Sequence, residues 1–218
     1  MDLNQIKTDL DSSDPQQRMK AITGLRDYEA DIAVPLLKNH IKDKEFLVRS
    51  FVAMGFGKKQ NADSFAALLE MMKFDSDPNV RAEAANSLSY YGDVAASHLV
   101  LMFERDVHWL VRRSIIAALA DMDCPQELFE VCLLGIDGED QTVRESCIRC
   151  LSRFANTDKQ EAALEKLLSL VEAQLWRDRM QTAKSLGKFN HPQAIDALNK
   201  LKEDPDHRVV GAVLESLV

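Results

Sequence analysis

The chain has 218 residues, 46% of them hydrophobic, with a formal net charge of −8 and a pI near 5.2. It has no apolar run of the roughly 18–20 residues needed to span a bilayer, and Met1-Asp2-Leu3-Asn4 leads into no basic-then-apolar segment, so neither a membrane span nor a secretory signal is expected and a cytoplasmic location is. The acidic balance argues against nucleic acid as a partner, because gripping phosphates needs a broad basic surface.

Helix starts recur along the chain at near-constant spacing. Asp14-Pro15 opens the first: the carboxylate caps free N–H groups, and proline at the first helical position lacks a donor that would be unpaired anyway. Arg18 follows, with Leu25 seven places on. The second unit has Arg49 and Phe56, and its Gly55-Phe56-Gly57 run reads as a helix stop. The third, Asp77-Pro78-Asn79-Val80-Arg81 with Ala84, Ala85 and Leu88, is the clearest copy. The fourth has His108-Trp109 in place of Asp-Pro before Arg112, and the fifth runs from Asp140 through Val143 and Arg144 to Leu151. The sixth has Leu175-Trp176 before Arg179, and the seventh is read from Asp204-Pro205 to Arg208. The arginines are 31, 32, 31, 32, 35 and 29 residues apart. Twelve places before six of them stand Ile6, Leu37, Leu69, Val100, Cys132 and Leu167, which marks a second helix ahead of each arginine helix. No single helix pair can bury its apolar stripe alone, so a period of this length implies stacked pairs. The expected fold is an all-α solenoid, a right-handed superhelix of about seven antiparallel helix pairs forming one continuous body over residues 1–218.

Several positions invite two readings. The arginines are expected to join neighbouring repeats rather than hold an anion. Asp14, Glu45, Asp77, Asp140 and Asp204 each stand four places before one, and Arg suits planar bonding to carboxylates and carbonyls. All four cysteines fall between residues 124 and 150, and at least three replace core or small residues of other repeats, which points to packing. The alternatives, a metal site or a thiol acceptor, lack the second pair that would make Cys147-x-x-Cys150 specific, and no metal is expected. Trp109 and Trp176 either contact a ligand at the rim or fill turns left open without proline.

Positions two, five and nine after each arginine point away from the core stripe and should line a concave face. They bring Phe51, Met54 and Tyr90 to its N-terminal part and Arg149, Arg153, Lys184 and Lys188 to its C-terminal part. Exposed Phe and Met suggest contact with a ligand or partner; a small shift in helix phase would bury them instead. The five histidines form no His-Glu pair, and no hydrolase or phosphate-loop motif is present. His108 and Tyr90 are the only candidates for proton transfer, and weak ones.

The units Asp77 to Ala85 and Asp140 to Arg144 resemble HEAT repeats, in the short form found in the phycobilisome lyase family, over nearly the whole chain. That resemblance implies a cyanobacterial protein acting on phycobiliproteins, phycocyanin or allophycocyanin, with phycocyanobilin as ligand or substrate and no required cofactor. One branch of the family attaches this open-chain tetrapyrrole to a cysteine, and another detaches it in phycobilisome degradation. A bilin is flat, largely apolar and carries two propionates, so Phe51, Met54, Tyr90 and Trp109 would meet its rings and the four cations its carboxylates. The alternative is a scaffold without catalysis that binds a protein partner on its concave face.

Overall fold

The computed structural model describes residues 1–216. Fourteen α-helices and no strand occur among the described residues, an all-α HEAT-like solenoid. Two compact units divide the chain, residues 1–127 and Leu128 onward. The first contains α1 (Leu3–Leu10), α2 (Pro15–Gly24), α3 (Ala30–Lys38), α4 (Phe46–Lys58), α5 (Ala62–Phe74), α6 (Pro78–Leu88), α7 (Asp93–Arg105) and α8 (Trp109–Asp121). The second begins within α9 (Pro125–Ile136) and continues through α10 (Gln141–Leu151), α11 (Gln160–Ser169), α12 (Trp176–Leu186), α13 (Pro192–Leu201) and α14 (His207–Ser216). Short 3-10 turns, Leu25–Asp27, Ser89–Tyr91 and Ser152–Phe154, extend α2, α6 and α10.

The even-numbered helices carry the arginines. Asp14 and Asp77 cap α2 and α6 by accepting the N–H groups of Gln16 and Asn79, and Pro15 and Pro78 occupy the first helical positions. His108 does the same for α8, its Nδ1 accepting from the Leu110 N–H at 3.2 Å. The residues seven places after the arginines, Leu25, Phe56, Leu88, Leu119, Leu151 and Leu186, are each at most 1% exposed. Ile6, Leu37, Val100, Cys132 and Leu167 on the preceding helices are buried too; at the third pair Leu68 takes the core and Leu69 is half-buried.

In the first unit the arginines form a continuous ladder. Arg18 grips both carboxylate oxygens of Asp43 at 2.7 and 2.8 Å, and Arg49 donates to the Asp43 carbonyl at 2.7 Å. Arg49 in turn grips Asp75 at 2.7 and 2.9 Å, and Arg81 donates to the Asp75 carbonyl at 3.0 Å. Arg81 grips Asp106 at 2.6 and 3.2 Å, and Arg112 donates to the Asp106 carbonyl at 2.7 Å. Each aspartate thus serves two arginines, one through its side chain and one through its backbone. The acidic partners are not the caps four residues ahead of each arginine but aspartates 25 or 26 residues beyond it, in the turn of the next repeat.

The second unit departs from this register twice. Arg179 grips Asp204 at 2.6 and 3.0 Å in the regular way. Arg144 stands only within 3.5 Å of Asp178, in the first turn of α12, while Gln141 holds the other oxygen of that carboxylate at 2.7 Å. The usual aspartate, six places before the next arginine, is replaced here by Ala173, which keeps only the backbone half of the contact by accepting from Arg179 at 2.7 Å. Arg208 is not an equivalent of the other arginines. Helix α14 starts at His207, so Asp204-Pro205 lies before it, and Arg208 sits in its first turn bonded to Asp206. Val210 holds the position 31 residues beyond Arg179.

The Gly55-Phe56-Gly57 run does not stop α4, which continues through Lys58. Gly57 is there for close approach instead: a Cβ would lie 2.9 Å from the Ser87 Cβ and Oγ, so α4 and α6 pack where a larger residue would push them apart.

Burial pushes the Asp43 carboxyl up, but hydrogen bonds from Arg18 and the Glu45 N–H, with the guanidinium charge, outweigh it and hold the group below its ordinary range. Asp204 is lowered chiefly by the Arg179 hydrogen bond. Unfolded aspartate titrates near ~3.9, so the stability these pairs contribute is complete above that pH and is lost as pH falls through the lower folded values. Thermal melts should therefore give a near-constant Tm from neutrality to about pH 5 and a falling one below about pH 4. A Tm that rises on acidification would contradict the ladder.

Candidate functional site

Within the first unit, a cleft of about 210 Å³ opens between α2 with its 3-10 turn and α4. Its floor is apolar: Ile22, Leu25 and Leu37 reach it from the core, and Phe51 lies half-buried along it. Met54 stands at its edge, 43% exposed. Three cations surround this floor: Arg26, Lys58 and Lys59. The Lys58 ammonium lies 4.3 Å from the centroid of the Tyr90 ring, which extends the site toward α6. Lys59 donates to the Arg26 carbonyl at 2.7 Å and ties the turn after α2 to the end of α4. Asp27 is the one carboxylate paired here, 3.4 Å from the exposed Arg26 guanidinium. The cleft therefore joins an apolar slot to a net positive rim.

Phe51 and Met54 line this cleft, and Tyr90 adjoins it through its contact with Lys58. The cations that line the same cleft are Arg26, Lys58 and Lys59. Lys58 stands nine places after Arg49, within reach of the two-five-nine register. Arg26 and Lys59 lie outside the two-five-nine register, in a turn and at a helix end, so periodicity could not reach them.

The other basic set lies in the second unit. Arg149 is exposed on α10, Arg153 on the following 3-10 turn, and Lys184 on α12, where it pairs with Glu215 at 3.4 Å. Lys188 follows the end of α12, so these cations do not form two matched helical pairs. Trp176 is bracketed by the guanidinium carbons of Arg177 and Arg208, 4.7 and 3.3 Å from its ring centroid, so it packs rather than waits for a ligand. Trp109 is 40% exposed with the His108 ring stacked near it. His108 is engaged as the α8 cap, and Tyr90 stands beside the cleft with its ring against the Lys58 ammonium.

A second cleft, about 380 Å³, lies between the outer helices α5 and α7. Leu69, Met72, Leu101 and Met102 line it, with Phe74 at its edge 69% exposed. The sequence reading assigned faces only to the arginine helices and did not find it. Among the described residues no helix is long and apolar enough to cross a membrane.

The sequence pattern of HEAT repeats matches residues 34–120 and 129–218. Solved structures share the fold at low identity. The complex of CpcE and CpcF of phycocyanin lyase from Nostoc sp. PCC7120 is 18% identical with a TM-score of 0.55, over 100% of this chain and 95% of that one. The karyopherin Kap121p, bound to the extreme C-terminus of the protein phosphatase Cdc14p, is 16% identical with a TM-score of 0.59, over 99% of this chain and 29% of that one. An engineered protein is 16% identical with a TM-score of 0.55, over 100% of this chain and 68% of that one. No curated protein matches in sequence.

Proposed function

Because the chain belongs to the HEAT-repeat family, in which stacked helix pairs present extended binding surfaces, we propose that it is a bilin-handling protein of the phycobilisome lyase type. In this reading it binds phycocyanin or allophycocyanin in the cyanobacterial cytoplasm, takes the phycocyanobilin chromophore into the α2–α4 cleft and detaches it, the role of the phycobilisome degradation protein NblB. The observation that carries the reading is the junction of apolar floor and cationic rim in one cleft. One end of a flat tetrapyrrole would enter it, a ring against Phe51 and Met54 and a propionate near Arg26 or Lys58, with the rest of the bilin lying outside the cleft. The fold shared with the Nostoc lyase pair over nearly the full length of both chains agrees with it.

Detachment is an elimination. A proton leaves the carbon next to the thioether carbon, the C–S bond breaks, a double bond forms in the bilin and the cysteine sulfur is released and protonated. Such a step needs a positioned proton acceptor or donor, and Tyr90 beside Lys58 is the group in place. Attachment is the same step reversed and would use the same cleft.

Titration of phycocyanin with the protein tests this. The visible band should fall or shift as protein is added, and a complex should appear on gel filtration. A constant band with no complex removes the reading. A complex with an unchanged band favours the scaffold alternative, for which the exposed Phe74 and the α5–α7 cleft supply an apolar docking surface.

A further inference from the structure

The cleft between α5 and α7 belongs to the outer helices, a layer that the bilin reading does not use. Its floor is Leu69, Met72, Leu101 and Met102. Both methionines are buried beneath it, and Leu101 is exposed on its wall. Two thioethers in one floor let it adapt to the shape of what enters. Its volume, about 380 Å³, falls in the small-molecule range of roughly 300–1,000 Å³.

The two ends of the cleft differ in charge. Arg81 donates to the Asp75 carbonyl and grips the Asp106 carboxylate, so the C-terminal ends of α5 and α7 lie side by side. Lys73, Phe74 and Arg105 close those two helices and line the cleft there. The Lys73 ammonium stands 4.8 Å from the centroid of the Phe74 ring. Asp75 and Asp106, the next residues in the chain, are already taken by Arg49 and Arg81, and among the described residues no ion pair joins Lys73 or Arg105 to an acid. Glu70 is the acid in the lining and stands one turn back from this end. Glu104 is exposed but does not line the cleft. Toward the other end the His98 ring packs edge-on against Phe65, with centroids 5.8 Å apart.

We propose that this cleft binds a medium-chain carboxylate, its acyl tail on the leucine and methionine floor and its head group between Lys73 and Arg105. The floor takes hydrocarbon out of water, and two cations at one end only fix which way the chain enters. From His98 to Arg105 the helix axis covers about 10 Å, the length of an acyl chain of about eight to ten carbons. The inference is independent of the bilin reading, since it uses neither the α2–α4 cleft nor Tyr90.

Decanoate, kept below its micellar concentration, is the probe. The full-length protein carries carbon-13 methyl-labelled methionine, and methyl spectra follow the titration. The Met72 and Met102 methyls should shift saturably, and Met54, at the α2–α4 cleft, should not. Affinity should rise about twofold to fourfold per carbon from hexanoate to decanoate and level off in longer chains, because each buried methylene adds apolar contact until the floor ends. Decyltrimethylammonium, with a similar tail and the opposite charge, should bind at least about tenfold more weakly. Lys73→Gln with Arg105→Gln should weaken decanoate about tenfold by removing both partners of the carboxylate. Leu101→Asp should abolish the shifts by setting a charge against the tail. These three side chains are exposed, so the fold should survive, and an unchanged Met54 methyl reports that it has. Met72 and Met102 methyls that stay still across the titration would overturn the proposal. Equal affinity for decyltrimethylammonium would do the same, because the cleft would then be apolar surface without selection. So would a glutamine pair that lowers Tm and leaves decanoate affinity intact, since the cations would then serve only the helix ends. If phycocyanin moves these methyls and decanoate does not, a protein partner covers the cleft and the proposal falls.

Discussion

Replacing Arg49 with alanine should cost about 3–5 kcal/mol of stability, because it strands a buried carboxylate. Arg49 and Asp75 side chains are 12% and 7% exposed, and two short hydrogen bonds join them. The substitution also frees the Asp43 carbonyl, which accepts from Arg49 at 2.7 Å. For a chain of this length the loss corresponds to a Tm drop on the order of 10 °C. Adding Asp75→Ala should restore part of it, since the orphaned charge rather than the missing attraction dominates the cost. Arg144→Ala supplies the contrast. Its ion pair spans 3.5 Å, its Nε has no hydrogen bond, and Gln141 still donates to the buried Asp178 carboxylate after the change, so a smaller loss of about 2 kcal/mol is expected there. Equal losses at Arg49 and Arg144 in denaturant melts would show that the ladder geometry is not what stabilises the stack.

The arginine helices were legible in the sequence because their burial follows a short local rule. The stripe seven places beyond each arginine is a one-helix property, and all six residues there are buried. That each arginine reaches into the neighbouring repeat was legible, but the acids it meets there are not the caps four residues ahead of an arginine. An acid four residues ahead is visible in any window, whereas Asp43, Asp75, Asp106 and Asp204 meet their arginines only once repeats stack. Their offset of 25 or 26 residues was present in the sequence and could have been found by scanning for acids at a fixed distance. Arg208 was betrayed by its step of 29, which breaks the period. The site was half legible for a related reason. Phe51, Met54 and Tyr90 stand at the two-five-nine positions, whereas Arg26 stands eight places after Arg18, outside that register.

Reversing two charges at the α2–α4 cleft should weaken phycocyanobilin binding about tenfold to a hundredfold, while the same change in the second unit should leave it near wild type. The informative pair is Arg26→Glu with Lys58→Glu. Neither side chain is buried, and Lys58 contributes only its contact with the Tyr90 ring, so the fold should survive. Lys59 is left alone because its ammonium fastens the Arg26 carbonyl. Each substitution replaces attraction of a propionate by repulsion, and a combined change of roughly 1.4–2.8 kcal/mol gives the stated range. Met54→Asp should add to the loss by removing apolar contact at the same edge. Wild-type affinity should fall as salt rises, and the reversed variant should show the opposite trend, because salt then screens a repulsion. Arg149→Glu with Arg153→Glu is the counterpart in the second unit, read by the same bilin titration at low ionic strength. If that pair abolishes binding and the cleft pair does not, the bilin belongs on the second unit's basic face. If neither matters in folded proteins, the cationic rim serves the solubility of the surface and the tetrapyrrole reading loses its structural support.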